Sequence, residues 1–168
     1  MSRYETAPYE ILEKDGSFEI RSYASFLTAA VAESSISATN GFNKVFSYIS
    51  GNNETGERIA MTIPVINDME EGHATTEFVM PSSLNDKIPP TPRDPQVQIH
   101  QYEARIVGAF LFSGSISEAK IKANEAKLRE WLALKGRQPI GSFRLARYNP
   151  PFTPPAFRRN EILIDLEG

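Results

Sequence analysis

The amino-acid sequence predicts an α+β fold, namely a distorted antiparallel β-barrel built from two pseudo-symmetric βαββ-type halves with two helices. The first observation behind this prediction is a repeat, because residues 19–23 recur loosely as residues 98–102. The second is that apolar and polar residues alternate around both copies, which is typical of β-strands. The third is that one segment with apolar residues at helical spacing follows each strand pair. We therefore expect the 168 residues to form one domain, with repeat units at roughly 8–80 and 96–166.

In the first half, strands are predicted at residues 18–23 and 26–31, a helix at residues 41–49, and two further strands at residues 59–66 and 75–80. The helix has apolar residues at positions i, i+3, i+4 and i+7, which form one stripe: Phe42, Val45, Phe46 and Ile49. The residues before it, Thr39 and Asn40, are suited to cap its N-terminus.

The second half repeats this order. Strands are predicted at residues 97–102 and 106–112, a helix at residues 117–134, and two more strands at residues 142–148 and 161–166. Ser117 is the expected N-cap of the second helix, and Gly136 followed by Pro139 is expected to end it.

The composition is that of an ordinary globular chain, with 40% hydrophobic and 23% charged residues. The absence of cysteine excludes disulfides, thiol nucleophiles and thiolate metal ligands. A net charge of −3 argues against a general nucleic-acid binder. The longest apolar stretch, residues 106–112, is far shorter than the ~20 residues of a membrane-spanning helix. Because the first residues also lack an apolar signal segment, we expect a cytoplasmic protein with no membrane span.

Nine of the twelve prolines fall in two windows, residues 81–95 and 150–155. Proline donates no backbone hydrogen bond, so both windows are expected to be loops between strands. Two interpretations stay open for these loops: stiff connections, or the rim of a ligand pocket. The first loop is also a candidate contact surface for a protein partner.

The sequence lacks motifs for metal binding and for nucleophilic catalysis. His73 and His100 are its two histidines, and they do not have the spacing of a metal-binding pair. Glu161, at the start of the last predicted strand, has two interpretations. It either holds neighbouring loop backbone, or it does acid–base work in a pocket, which would need a raised pKa.

The remaining candidates for function are mainly aromatic and apolar: Phe42, Phe46, Tyr48, Met61, Phe152 and Phe157. The stripe on the first helix belongs either to the core or to an apolar cleft for a flat ligand. In the second case Lys44, Arg158 and Arg159 would pair with ligand carboxylates at the mouth of the cleft.

Several segments, in order along the chain, resemble the SOUL/haem-binding protein family. The family's helix ending in Tyr-Ile/Val-x-Gly-x-Asn is matched by residues 42–52, and its Met-Thr-x-Pro-Val strand by residues 61–65. Shorter matches follow at residues 78–81, 89–92, 112–114, 148–151 and 158–162. The resemblance covers about residues 8–166.

This resemblance implies a distorted barrel of two similar halves and binding of haem or a related tetrapyrrole against the first helix. The implied binding residues, together with the apolar candidates, are Phe42, Lys44, Val45, Phe46, Tyr48, Ile49, Met61, Phe152 and Arg158. Lys44 and Arg158 are the expected propionate partners. Some family members are proposed to ligate iron through a histidine before this helix, but residues 33–40 contain none. We therefore expect haem or porphyrin to bind without a histidine ligand, or with Tyr48 or Met61 as a weak one.

The function expected from these observations is a non-enzymatic cytoplasmic carrier or buffer of haem or a related tetrapyrrole. The family fold is shared with effector-binding domains of bacterial transcription regulators, so a module for another hydrophobic small molecule is the first alternative. An enzyme acting on a hydrophobic substrate, with Glu161 as its acid–base residue, is the second. A protein-interaction module that uses the loop at residues 81–95 is the third.

Overall fold

The computed structural model of the chain describes residues 4–33, 40–70, 72–84, 87–149 and 152–168. Two α-helices lie in this part of the chain, α1 (Asn40–Ile49) and α2 (Glu118–Leu134). The strands are β1 (Glu5–Thr6), β2 (Tyr9–Asp15), β3 (Phe18–Tyr23), β4 (Phe26–Ala32), β5 (Thr62–Ile63), β6 (Val65–Asp68), β7 (Thr75–Val79), β8 (Gln98–Tyr102), β9 (Arg105–Phe112), β10 (Pro139–Arg147) and β11 (Asn160–Leu166). The predicted α+β class is confirmed.

Nine strands form one antiparallel sheet in the order β2-β3-β9-β11-β10-β6-β7-β4-β8, and β1 and β5 form a short parallel pair. The sheet is open, because the edge strands β2 and β8 lie at opposite ends and each pairs on one side. The predicted antiparallel sheet is found, but it does not close into the predicted distorted barrel, since closure requires the two edge strands to exchange hydrogen bonds.

The order strand–strand–helix–strand–strand occurs in both halves of the chain. The strand predicted at residues 59–66 is interrupted by Pro64 and becomes β5 and β6, since proline cannot donate to a sheet ladder. Strands β1 and β2 were not predicted, because β2 is largely exposed and its apolar residues do not alternate. The pseudo-twofold relation between the halves stays a prediction.

Both helices lie on the same face of the sheet. Val65 packs against the cluster beneath α1, and its cross-strand partner is Arg147. Leu145, two residues before Arg147, packs beneath α2. Residues two apart on a strand share a face, and so do directly paired residues on neighbouring strands. The central strands β6 and β10 therefore lie between the two helices.

Helix α2 begins as predicted, because the Ser117 hydroxyl accepts a hydrogen bond from the Lys120 backbone N–H at 3.2 Å. Thr39, the predicted cap of α1, lies outside the described residues. Buried apolar residues of α2 cover β9, β10 and β11: Ile121, Leu128, Trp131 and Leu132. Within the described part of the chain, no helix is long and apolar enough to cross a membrane.

Gly108 of β9 allows α2 to approach the sheet closely. A Cβ atom at this position would lie 2.9 Å from both terminal carbons of Leu132. We expect Gly108→Val to lower the free energy of unfolding by about 1–3 kcal/mol, because the added methyl groups overpack this contact. Urea unfolding measures the change. Adding Leu132→Ala should recover part of the loss, and an unchanged unfolding midpoint for Gly108→Val would contradict the packing described.

Candidate ligand-binding surface

The apolar stripe of α1 divides between the core and the surface. Val45 and Ile49 are buried against the sheet. Tyr48 is buried with them, and its hydroxyl donates a hydrogen bond to the Pro90 carbonyl at 2.7 Å. Burial raises the pKa of Tyr48 to about 12. Phe46, by contrast, is 44% exposed, so one side of the helix holds the fold and the other presents an aromatic ring.

Phe42 connects the exposed and buried sides of α1. Its ring stacks on Phe46 with centroids 6.1 Å apart, and it meets the buried Phe78 edge-on at 5.2 Å. Met61, just before β5, is 37% exposed. Phe42, Phe46 and Met61 are thus the apolar residues among the predicted binding residues on α1 and just before β5 that remain accessible.

An apolar cavity of about 150 Å³ lies beside the start of α1. Its apolar lining comes from Phe42, Met61, Ile63, Val65 and Tyr148, and its charged residue is Arg147. The cavity therefore lies between the first turn of α1 and the central strands β6 and β10, on the face of the sheet that carries the helices. Of the predicted binding residues, it brings Phe42 and Met61 together.

Arg147 is only partly satisfied within the described structure. Its Nη2 donates a hydrogen bond to the Asn67 side-chain oxygen at 2.8 Å. Its Nε is buried and has no hydrogen-bond partner among the residues described. Burial lowers the pKa of Arg147, and the charge of Glu33 opposes this effect. Because a guanidinium stays protonated in proteins, a positive charge borders the apolar cavity.

The cations predicted from the sequence lie elsewhere. Lys44 donates a hydrogen bond to the side-chain oxygen of Gln96, and the Nε of Arg158 donates to the Thr153 carbonyl at 2.8 Å. Phe152 is 86% exposed in the loop that leads to β11. Lys44, Phe152 and Arg158 are not lining residues of the apolar cavity.

Neither histidine lines the apolar cavity. His73 is exposed in the turn between β6 and β7. His100 stacks on Tyr102 with ring centroids 4.4 Å apart, and it pairs along the sheet with Thr28 on the face opposite to the helices. No group of three or more histidine, aspartate or glutamate side chains suited to a metal ion occurs in the described ranges.

A second cavity, of about 500 Å³, lies between α2 and the β6–β7 hairpin. Its floor is apolar, with Met69, Ile121 and Phe143. Five carboxylates and one lysine surround this floor: Glu33, Asp68, Glu70, Glu118, Glu125 and Lys122. The second cavity is therefore acidic, whereas the first one contains a cation.

Glu161 belongs to a buried network and lines neither cavity. Its two oxygens accept hydrogen bonds from Arg21 at 2.8 and 2.7 Å, and also from Arg159 at 2.7 Å and the Tyr148 hydroxyl at 2.9 Å. Burial by itself would raise the pKa of Glu161, but the hydrogen bonds and charges of Arg21 and then of Arg159 hold it below its usual value. The raised pKa that acid–base work required is not found, and the partners are side chains rather than loop backbone.

Sequence reasoning missed Arg147 and Tyr148 as residues of the apolar cavity. A signal was present, because Arg147 occupies a strand position that alternates with the buried Leu145. An arginine on the apolar side of a central strand is unusual unless something pairs with it. The sequence could not show that its neighbours would be Phe42 and Met61.

Comparison with known proteins adds to this geometry. A family model described as SOUL heme-binding protein matches residues 4–165. Heme-binding protein 1 of Sus scrofa is 29% identical to this chain, and the alignment covers 95% of this chain and 92% of that protein. Heme-binding protein 1 of Xenopus laevis is also 29% identical, over 89% of this chain and 84% of that protein.

Solved structures with a similar fold are much more distant in sequence. A hydrolase from Listeria innocua has a TM-score of 0.63 at 12% identity, covering 93% of this chain and 94% of its own. The C-terminal domain of EcmrR has a TM-score of 0.64 at 11% identity, covering 95% and 98%. SAV2435 bound to tetraphenylphosphonium has a TM-score of 0.51 at 10% identity, covering 90% and 94%. At these identities the similarity shows the fold alone.

Glu161→Gln tests the energetic weight of the buried network. The substitution removes the negative charge that Arg21 and Arg159 share, and Arg21 is fully buried. We expect the free energy of unfolding to fall by about 3 kcal/mol, since the buried Arg21 then keeps one ion pair, with Glu19 at 2.8 Å, in place of two. Urea unfolding followed by Trp131 fluorescence measures this change.

The matched control is Glu13→Gln. Glu13 pairs with Lys135 at 2.9 Å, but the two side chains are 44% and 36% exposed. An exposed ion pair of this kind contributes roughly 0–1 kcal/mol. If both variants lost the same small amount of stability, the network around Glu161 would not have the structural role described.

Proposed function

Because the chain belongs to the SOUL heme-binding protein family, we propose that it binds haem or a related tetrapyrrole on the exposed side of α1 and in the apolar cavity beside it. The observation that carries this proposal is the accessible aromatic surface of Phe46, stacked on Phe42 at the edge of that cavity. A soluble domain seldom exposes stacked aromatic rings beside an apolar cavity without a binding partner. A flat macrocycle matches such a surface in shape and polarity.

The apolar contact is sufficient for moderate affinity. Burying a few hundred Å² of apolar surface contributes several kcal/mol at about 25 cal/mol per Å², before the cost of association is subtracted. We therefore expect binding in the micromolar range, since ~8 kcal/mol corresponds to a Kd of about 1 μM.

Haem, when bound, supplies an iron centre within a flat apolar ring, and the residues near α1 fit the ring better than the iron. The Tyr48 hydroxyl is occupied by the Pro90 carbonyl, and the Met61 thioether is the accessible one of the two predicted weak ligands. His73 and His100 are not on this surface. We therefore propose that the ring faces and edges, not an iron–histidine bond, supply most of the affinity.

Moderate affinity without a strong iron ligand favours exchange of the ligand over catalysis on it. On this basis we propose that the protein acts as a cytoplasmic carrier or buffer of tetrapyrrole. Val45, Tyr48 and Ile49 would hold α1 in place, while Phe42, Phe46 and Met61 would contact the ligand.

A paired titration with haemin and with metal-free protoporphyrin tests this function. We expect saturable one-to-one binding of both ligands, with affinities within about threefold of each other, because iron contributes little. Phe46→Ser should weaken both by about tenfold or more, since it removes an aromatic contact of roughly 1.5–3 kcal/mol. Absorbance and Trp131 fluorescence follow the binding.

Leu134→Ser is the matched control, because Leu134 is 81% exposed at the end of α2 and lies outside both cavities. It should leave both affinities unchanged. Absence of saturable binding up to about 100 μM of either ligand would overturn the proposed function. Binding of haemin alone would show that a protein ligand to iron exists.

The acidic cavity supports a second candidate function, the binding of a hydrophobic cation. Carboxylates around an apolar floor attract such a ligand, and SAV2435, which shares the fold, is described as bound to tetraphenylphosphonium. Glu33 is the carboxylate of most interest, because its Oε2 is buried and has no hydrogen-bond partner in the described ranges.

Titration with tetraphenylphosphonium distinguishes this candidate. If the cavity takes cations, Glu33→Gln should weaken binding about fivefold or more through the loss of one nearby charge. Glu130→Gln removes a carboxylate of α2 outside the cavity and should have little effect. Equal affinities for the wild type and both variants would exclude the acidic cavity as the site.

A further inference from the structure

Arg147 differs from four other arginines on or next to the strands in its partners. Arg21 and Arg159 contact the carboxylate of Glu161, and Arg105 and Arg144 contact that of Asp165. Arg147 contacts an amide oxygen, and within the described residues it makes no ion pair. A positive charge that is removed from water without an anion is costly, and Arg147 is the strand arginine that has no carboxylate partner among the described residues.

The carboxylate whose charge acts on Arg147 is not its ion-pair partner. Glu33 acts on Arg147 through its charge, but its own Oε2 has no hydrogen-bond donor in the structure described. The Nε of Arg147 is likewise without an acceptor. The guanidinium therefore keeps at least one buried N–H that has no acceptor among the described residues.

The surroundings of Arg147 define the chemistry of that acceptor. Arg147 lines a cavity together with apolar residues that include Phe42, Met61, Ile63, Val65 and Tyr148, and with the polar residues Thr62 and Asn149. At about 150 Å³ this cavity is smaller than the roughly 300–1,000 Å³ of pockets that enclose a drug-sized ligand. It accommodates one edge or arm of a larger molecule, with the body lying on the exposed side of α1.

We propose that Arg147 binds a carboxylate attached to an apolar body, so that the cavity beside α1 receives the acidic arm of the ligand. Arginine suits this role because its planar fork of N–H donors matches the two oxygens of a carboxylate. Asn67 holds Nη2 of the guanidinium, and the buried Nε–H is left without an acceptor among the described residues. Where the ligand is a tetrapyrrole this inference rests on the proposed function, and the arm is a propionate; a free aliphatic acid presents the same chemistry.

The test compares mesoporphyrin with its dimethyl ester, both presented in the same detergent micelles. The acid should bind the wild type about tenfold or more tightly than the ester, as expected for a charge-assisted hydrogen bond of ~1.5–3 kcal/mol. Arg147→Met should bind both at the ester's affinity, and Arg147→Lys should lie between. Arg137→Met, which removes an arginine from the loop after α2, is the charge-matched control and should keep the wild-type preference.

A second readout does not depend on a variant. The side-chain Nε–H signal of Arg147 in an NMR spectrum of the wild type should shift on addition of the acid and stay in place with the ester. Two results would overturn the role of Arg147: a folded Arg147→Met protein that keeps the tenfold preference, or an Nε–H signal that does not shift when the acid is added. Neither result would contradict tetrapyrrole binding itself.

A titration with decanoate distinguishes a tetrapyrrole propionate from a free aliphatic acid as the source of the carboxylate. If neither porphyrin binds the wild type, the proposed tetrapyrrole function is wrong. The role of Arg147 then depends on the measurement of decanoate binding alone. Decanoate binding that is lost in Arg147→Met supports the inference with an aliphatic acid as the ligand. Failure of decanoate as well as both porphyrins to bind would overturn it.

Discussion

The bidentate contact between Arg21 and Glu161 joins residues 140 positions apart and ties β3 to the last strand, β11, across β9. Both side chains are fully buried on the face of the sheet opposite to the helices. Tyr23 accepts a further hydrogen bond from Arg21, and Tyr148 and Arg159 complete the shell of Glu161. Because these side chains hydrogen-bond to one another, they are not available to a ligand. The proposed ligand-binding chemistry lies on the helical face.

Arg147 is also an arginine of the sheet, but it lies on the helical face and hydrogen-bonds to the amide of Asn67 rather than to a carboxylate. It follows Ala146, whose cross-strand partner is Glu161, so one residue of β10 faces the satisfied network and the next faces the apolar cavity. Tyr148 links the two sides, because its hydroxyl donates to Glu161 while the residue also lines the cavity. A rigid polar network thus supports the wall of the cavity from behind. This arrangement favours a preformed site over one that the ligand must assemble.

The elements that depend on local patterns could be predicted from the sequence, and those that depend on long-range pairing could not. Alternation gave β3 and β9, and helical spacing together with the Ser117 cap gave α2. Sheet closure was predicted wrongly, because whether two edge strands meet is determined by the twist of all nine strands. Likewise, no local pattern shows that Lys44 would bond to Gln96, or that the Nε–H of Arg147 would have no acceptor among the described residues.

The apolar residues of α1 were the hardest to interpret, because those that face the core and those that face solvent are of similar types. Val45 and Phe46 are adjacent apolar residues, yet the first is fully buried and the second is 44% exposed. The difference arises because Val45 lies with Tyr48 and Ile49 on the arc that faces β4 and β7, while Phe46 lies beyond the edge of that arc. One helix therefore has separate surfaces for folding and for the proposed binding. On this proposal, substitutions on the exposed side would alter ligand contacts with little effect on the core, so ligand preference and stability would change independently.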